Sequence, residues 1–179
     1  SGLLHKTNVP DFVDYDVVKI NYRDKDFTGC SSKHFLKENE SIVTLSKLFT
    51  MYYNEDIASK CVGMEVTDRI RYVVDCVEKV TGLEHFGQYL TMMLEMDWLF
   101  LNEDRHFNNI AVIRNTKTGE YRLCPIFDNG AALLSDTTID HPLDGDVYKS
   151  MKKPESKPFS FDFEEQVDAA ERLYGTQMQ

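Results

Sequence analysis

With 179 residues and 42% hydrophobic content, the chain can bury a sizeable core and fits a single domain. Its 30 acidic against 20 basic side chains leave a formal net charge of −10, which disfavours direct contact with nucleic acid or an acidic membrane surface, since both are polyanions. No stretch approaches the roughly 20 apolar residues that span a bilayer, and no basic-then-apolar signal opens the chain, so a cytoplasmic setting without membrane contact is expected.

In chain order, Asp14 to Tyr22 has a β-rich composition and predicts a strand. Residues 35 to 53 place Phe35, Ile42, Leu45, Leu48, Phe49 and Tyr52 on a helical stripe. Thr67 precedes Ile70, Val73, Val74, Val77 and Val80, and Gly82 follows, which supplies an N-cap, a 3.6 period and a stop. Residues 84 to 100 are apolar nearly all round, through Phe86, Leu90, Met93, Leu94 and Trp98, and predict a buried helix that ends just before Asn102. Asn109 to Ile113 and Tyr121 to Phe127 read as two strands joined by a polar connection, Arg114 to Glu120. From 135 to 160 no period survives, which predicts a loop fit to serve as an activation or substrate segment. Asp162 to Glu165 then opens a last helix, with a stop at Gly175.

The chemistry concentrates between residues 102 and 130. Asp104 is followed five residues later by Asn109, and beyond the hairpin comes Phe127-Asp128-Asn129-Gly130. Phosphoryl transfer passes through a loose transition state, so it needs a positioned hydroxyl and neutralised phosphate charge more than covalent help. Asp104 is suited to orient the attacking hydroxyl as a base. Magnesium takes oxygen ligands and keeps several waters, so one amide oxygen and one carboxylate, from Asn109 and Asp128, suffice beside the phosphates.

The order of residues departs from the eukaryotic protein-kinase pattern: Asp104-Arg105-His106 stands where His-Arg-Asp is expected, and Phe127-Asp128-Asn129-Gly130 where Asp-Phe-Gly is. Asn102-x-Asp104-x-His106-x-x-Asn109, followed by Cys124-Pro125-Ile126-Phe127-Asp128, is similar instead to the bacterial HipA-like kinases, and more distantly to phosphatidylinositol kinases with an Asp-Arg-His-x-x-Asn core. The resemblance is strong over residues 83 to 134 and weaker over 28 to 53, where Gly29 to Glu40 resembles a segment entering the C-lobe. It implies a mainly α, α+β C-lobe with a small hairpin, with residues 1–27 as hinge and 28–179 as the lobe.

The resemblance also implies ATP and magnesium as cofactors and a protein serine or threonine as acceptor. Asp104 and His106 are then the catalytic pair, with His106 structural or close to phosphate; Asn109 and Asp128 are the metal ligands; Asn109, Asp128 and Arg105 meet the nucleotide. Arg105 has a second destination, a loop carboxylate. An antitoxin, or a separate chain supplying the N-lobe, is the partner such kinases imply.

Each residue has a plainer role in competition. Asp and Asn in loops are most often turn formers. His106 lacks the soft partners of a zinc site. Cys124 lies in an apolar strand and reads as core, and the four scattered cysteines are expected to be free thiols. No Gly-x-Gly-x-x-Gly is present among the nine glycines, and Lys19 reads as a hinge residue rather than a phosphate-binding strand lysine. An incomplete kinase is therefore expected, inactive alone, and the opening Ser1-Gly2 without methionine fits a trimmed or artificial start. Two alternatives stay open: an inactive pseudokinase or regulatory binding module, and a lipid-kinase-like phosphotransferase.

Overall fold

A computed structural model describes residues 1–135, 137, 141–142 and 145–179. The element order is β1 (Tyr15–Tyr22), β2 (Lys25–Ser32), β3 (Glu40–Thr44), α1 (Leu45–Tyr53), α2 (Ile57–Lys60), α3 (Val66–Thr81), α4 (Phe86–Phe100), β4 (Ala111–Asn115), β5 (Tyr121–Leu123), α5 (Val147–Ser150) and α6 (Phe163–Tyr174). The expected loop from 135 to 160 includes the short α5, and its residues 136, 138–140 and 143–144 lie outside the described residues.

Three of the periodic segments fold as their patterns predict. α4 buries Phe86, Leu90, Met93, Leu94 and Met96 and stops at Leu101, which takes a left-handed conformation. α3 turns Ile70, Val73, Val74 and Val77 inward and ends at Gly82, left-handed at φ 74°. Its cap differs from the expected Thr67: the helix begins two residues earlier than that cap implies, after Glu65, with no side-chain cap. Asp162 caps α6 by accepting from the Glu164 and Glu165 amides. α6 packs on α3 and α4, and Gly87 makes the α4 crossing fit, since a Cβ there would lie 2.5 Å from the Tyr174 ring.

Residues 35 to 53 are not one helix. Glu40 to Thr44 pair with β4 in register Val43↔Val112, and the helix starts only where Thr44 accepts from the Lys47 amide. The run Ser41-Ile42-Val43-Thr44 is rich in β-branched residues, which favour a strand. Period-two alternation then gives the sheet β3-β4-β5 two buried faces. Val43 and Val112 face the main core, whereas Ala111, Ile113 and Cys124 form a second cluster under Phe35, Leu36, Ile42 and Phe127. All four cysteines are free, and burial pushes the Cys124 thiol up to about 12, which removes it as a nucleophile.

β1, the expected strand, pairs with β2 in a hairpin turned by Arg23 and Asp24, both at positive φ. The hairpin straddles the expected boundary at residue 27 and buries little: Val17 is 81% exposed. Just before it, Phe12 forms a parallel bridge to Ile126, with the Val13 amide donating to the Ile126 carbonyl at 2.8 Å. The N-terminal segment is thereby stapled beside the stretch after β5 that leads into Asp128.

β3 is fastened to β5 by Glu40, whose carboxylate accepts from Arg122 at 2.9 and 2.7 Å and from the Lys37 amide at 2.7 Å. These bonds, Arg122's first, pull the Glu40 carboxyl from 4.5 down to about 2. Because the folded value lies below the unfolded one, the contribution is complete above 4.5 and is lost as pH falls through about 2. Thermal melts of wild type and Glu40→Gln are expected to differ by a constant amount near neutral pH and to converge through that acid window.

Candidate functional site

The loop from Asn102 to Ile110 leaves the end of α4 and folds on itself before β4. The Asn102 amide donates back to the Asp97 carbonyl at 2.8 Å, the His106 amide to the Asp104 carbonyl at 2.9 Å, and the Asn109 amide to the His106 carbonyl at 2.8 Å. On its outer side the Leu45 amide donates to the Ile110 carbonyl at 2.9 Å, so the start of α1 closes the loop. Phe107 anchors it in the core, 8% exposed.

Arg105 is the hub. It is wholly buried, and so is its partner Asp97 on α4. Arg105 Nε and Nη2 donate to the two Asp97 carboxylate oxygens at 2.8 and 3.0 Å, a parallel pair, while Asn102 Nδ2 adds a third bond at 2.7 Å. Burial pushes the Asp97 carboxyl up, and Arg105 pulls against it. Burial would lower the Arg105 guanidinium, but the charge of Asp97 outweighs it and holds the group up. The bidentate geometry is that of an ionised pair.

The remaining guanidinium donors hold the two halves of the site. Arg105 Nη1 donates to the Asn109 carbonyl at 3.0 Å and to the Phe127 carbonyl at 2.9 Å, and Nη2 reaches Asn129 Oδ1 at 2.5 Å. One nitrogen therefore joins the chain at Asn109 to the turn that carries Asp128. Arg105, expected among the nucleotide-binding residues or on a loop carboxylate, instead lies behind the site with its donors turned to protein, and the carboxylate it meets, Asp97, lies on α4 and not in a loop.

The other candidates surround that hub. Asn109 is 6% exposed and donates through Nδ2 to the Asp104 carbonyl at 2.9 Å, which leaves its Oδ1 without a hydrogen bond among the described residues. Asp128 is exposed, sits in a left-handed conformation at φ 56°, and its amide donates to the Tyr15 hydroxyl at 3.4 Å. These two oxygen donors fit the ligand preference of magnesium. No group of three or more His, Cys, Asp or Glu that could hold a metal exists among the described residues, so a cation here would need ligands from a phosphate as well.

Asp104 is half-exposed. Its Oδ2 lies 3.7 Å from His106 Nε2 and its Oδ1 3.3 Å from Lys157 Nζ. His106 Nδ1 is buried without a hydrogen-bond partner among the described residues. Asp104 opens onto a cleft of about 430 Å³, lined also by Glu103, Ala131, Ser135, Lys153, Glu155 and Lys157. Neither Asn109 nor Asp128 lines that cleft: Asn109 backs the loop, and Asp128 sits on the adjoining turn. Asp97 and Lys157 carried no motif. An acid inside a largely apolar helix, which also buries Glu95, is the one available sign of Asp97, because a buried charge requires a partner.

A helical base, a loop held at the end of its buried helix and a hairpin that returns an acidic turn to that loop make up the C-lobe fold of kinases. Among solved structures, the chain is similar to the crystal structure of a proinflammatory kinase of Helicobacter pylori, CtkA, with a TM-score of 0.55 and 20% sequence identity. The match covers 84% of this chain and 53% of that one, so the chain spans about half the length of the kinase. At this identity the likeness establishes the fold. No family model and no curated protein matches the chain. Among the described residues, no helix is long and apolar enough to cross a membrane.

Proposed function

We propose that the chain is the C-lobe of a HipA-like, ATP-dependent serine/threonine kinase, which transfers the γ-phosphate to a protein hydroxyl with magnesium. The observation that carries the reading is the Arg105 hub, in which one buried guanidinium nitrogen joins Asn109 to the Asp128 turn while the Asn109 amide is fixed on the Asp104 carbonyl. Asp104 orients the acceptor hydroxyl, and Asn109 Oδ1 with the Asp128 carboxylate holds the cation, which when bound neutralises phosphate charge. Catalysis of this kind consists of positioning, and positioning requires side chains that do not wander. The covering loop over the phosphates belongs to a second lobe, from the same polypeptide or a partner chain, since the sequence holds no glycine-rich phosphate loop.

Calorimetric titration of ATP with and without magnesium tests the site. Wild type is expected to bind ATP in a magnesium-dependent manner, and Asp128→Ala to lose on the order of tenfold or more in affinity, as outer and inner metal ligands commonly do. Asp128 is exposed and its carboxylate makes no hydrogen bond or ion pair among the described residues, so its removal is expected to leave the fold intact. Magnesium-independent binding, or equal binding by both proteins, refutes the metal assignment.

A further inference from the structure

We infer that Lys157 is a phosphate-binding cation of the Asp104 cleft, placed to meet the terminal phosphate of a nucleoside triphosphate. The inference rests on the phosphoryl-transfer reading and adds to it a residue 53 positions beyond Asp104, outside the loop motif.

The segment around Lys157 is built to hold it there. Ser156 is fully buried, with its hydroxyl donating to the Ser160 carbonyl at 2.7 Å and its amide to the Phe161 carbonyl at 2.9 Å. The Lys157 carbonyl accepts from Nε2 of Gln166, a fully buried residue of α6, at 3.3 Å. Phe159 is 1% exposed and meets the Phe107 ring edge-on at 5.5 Å, and its carbonyl accepts from Arg69 of α3 at 2.8 Å. The chain on either side of Lys157 is thus fixed to two helices and to the Asp104 loop itself. The lysine side chain, 45% exposed, crosses to Asp104 Oδ1 at 3.3 Å.

The electrostatics require such a residue. A carboxylate that orients a hydroxyl must lie close to a multiply charged phosphate, and this chain carries a net charge of −10. Arg105 cannot relieve the repulsion, because it is buried and paired with Asp97. Of the residues lining the cleft, Lys153 and Lys157 are the cations, and Lys157 is the one that touches Asp104. A half-exposed ion pair contributes little to stability, so the fold does not depend on it. The contact does fix an ammonium next to the point where a phosphoryl group meets the base.

Titration of magnesium-ATP and magnesium-ADP into wild type, Lys157→Met, Lys157→Arg and Lys149→Met separates the outcomes, with unfolding temperature recorded for each. Lys157→Met is expected to lose on the order of tenfold in affinity for ATP, the worth of one hydrogen bond to a charged group, and nothing for ADP. Lys157→Arg should restore most of the loss. Lys149→Met removes the same charge from α5, outside the cleft lining, and should change neither ligand. Equal losses for ATP and ADP reduce Lys157 to a general field effect, and a gain for ATP makes it a plug over Asp104; either result overturns the inference. Asp128-dependent nucleotide binding that ignores Lys157 sinks this inference alone, whereas a wild type with no magnesium-dependent binding sinks the kinase reading with it.

Discussion

Arg105→Met is expected to destabilise the fold by roughly 3–5 kcal/mol, measured by denaturant unfolding at neutral pH. The loss comes from what remains: Asp97 stays wholly buried and, among the described residues, keeps the Asn102 amide alone as its carboxylate's partner. The Asn109 and Phe127 carbonyls and the Asn129 amide oxygen lose a donor as well. Two effects are mixed in that single change, and a double variant separates them. Replacing a buried pair by apolar residues is often neutral, so Asp97→Leu with Arg105→Met should recover most of the stability. It should not recover magnesium-dependent nucleotide binding, because the Arg105 link between Asn109 and the Asp128 turn is then gone. A double variant that binds nucleotide normally would show that the hub serves the fold and not the site.

What was legible in the sequence follows from where the physics is local. α3, α4 and α6 were readable because a single face, or in α4 the whole circumference, had to be buried, and Gly82 and Gly175 stopped two of them. The boundary between β3 and α1 was not, because Phe35 and Ile42 serve the second cluster while Leu45, Leu48 and Phe49 serve the main core, and the two sets merge into one apparent stripe. β2 escaped notice because its turn is Arg23-Asp24, without the glycine or asparagine that usually marks a two-residue hairpin. Asp104, Asn109 and Asp128 stand out in the sequence as candidates since their spacing is itself the motif. Burial is not written in spacing, so Arg105 looked like a cation for a ligand. Its depth depends on Asp97 eight residues earlier and on a turn 22 residues later. Lys157 depends on packing between Phe159 and Phe107, which no local pattern announces.

Asp104→Asn is expected to cut phosphoryl transfer to a serine or threonine peptide by about 10²–10⁴-fold, the usual worth of a positioned acid or base. Magnesium-ATP affinity should stay within a few-fold of wild type. The separation follows from how the loop is held. Asn109, the candidate metal ligand, is fixed by the main-chain carbonyl of residue 104, which no side-chain substitution removes. Arg105 holds the rest of the loop from behind, again through main-chain carbonyls. Among the described residues the Asp104 carboxylate touches Lys157 and His106, both part-exposed, so its replacement is expected to alter the chemistry and spare the frame. Asparagine keeps the shape and loses the charge, which is the property that orients the hydroxyl. The assay belongs in a form of the protein that carries both lobes, followed by radiolabelled transfer and calorimetry on the same preparation. Equal losses in transfer and binding would move Asp104 from base to metal ligand. A wild type that binds magnesium-ATP through Asp128 yet transfers nothing in that form would place the chain among the pseudokinases, with the frame kept and the reaction lost.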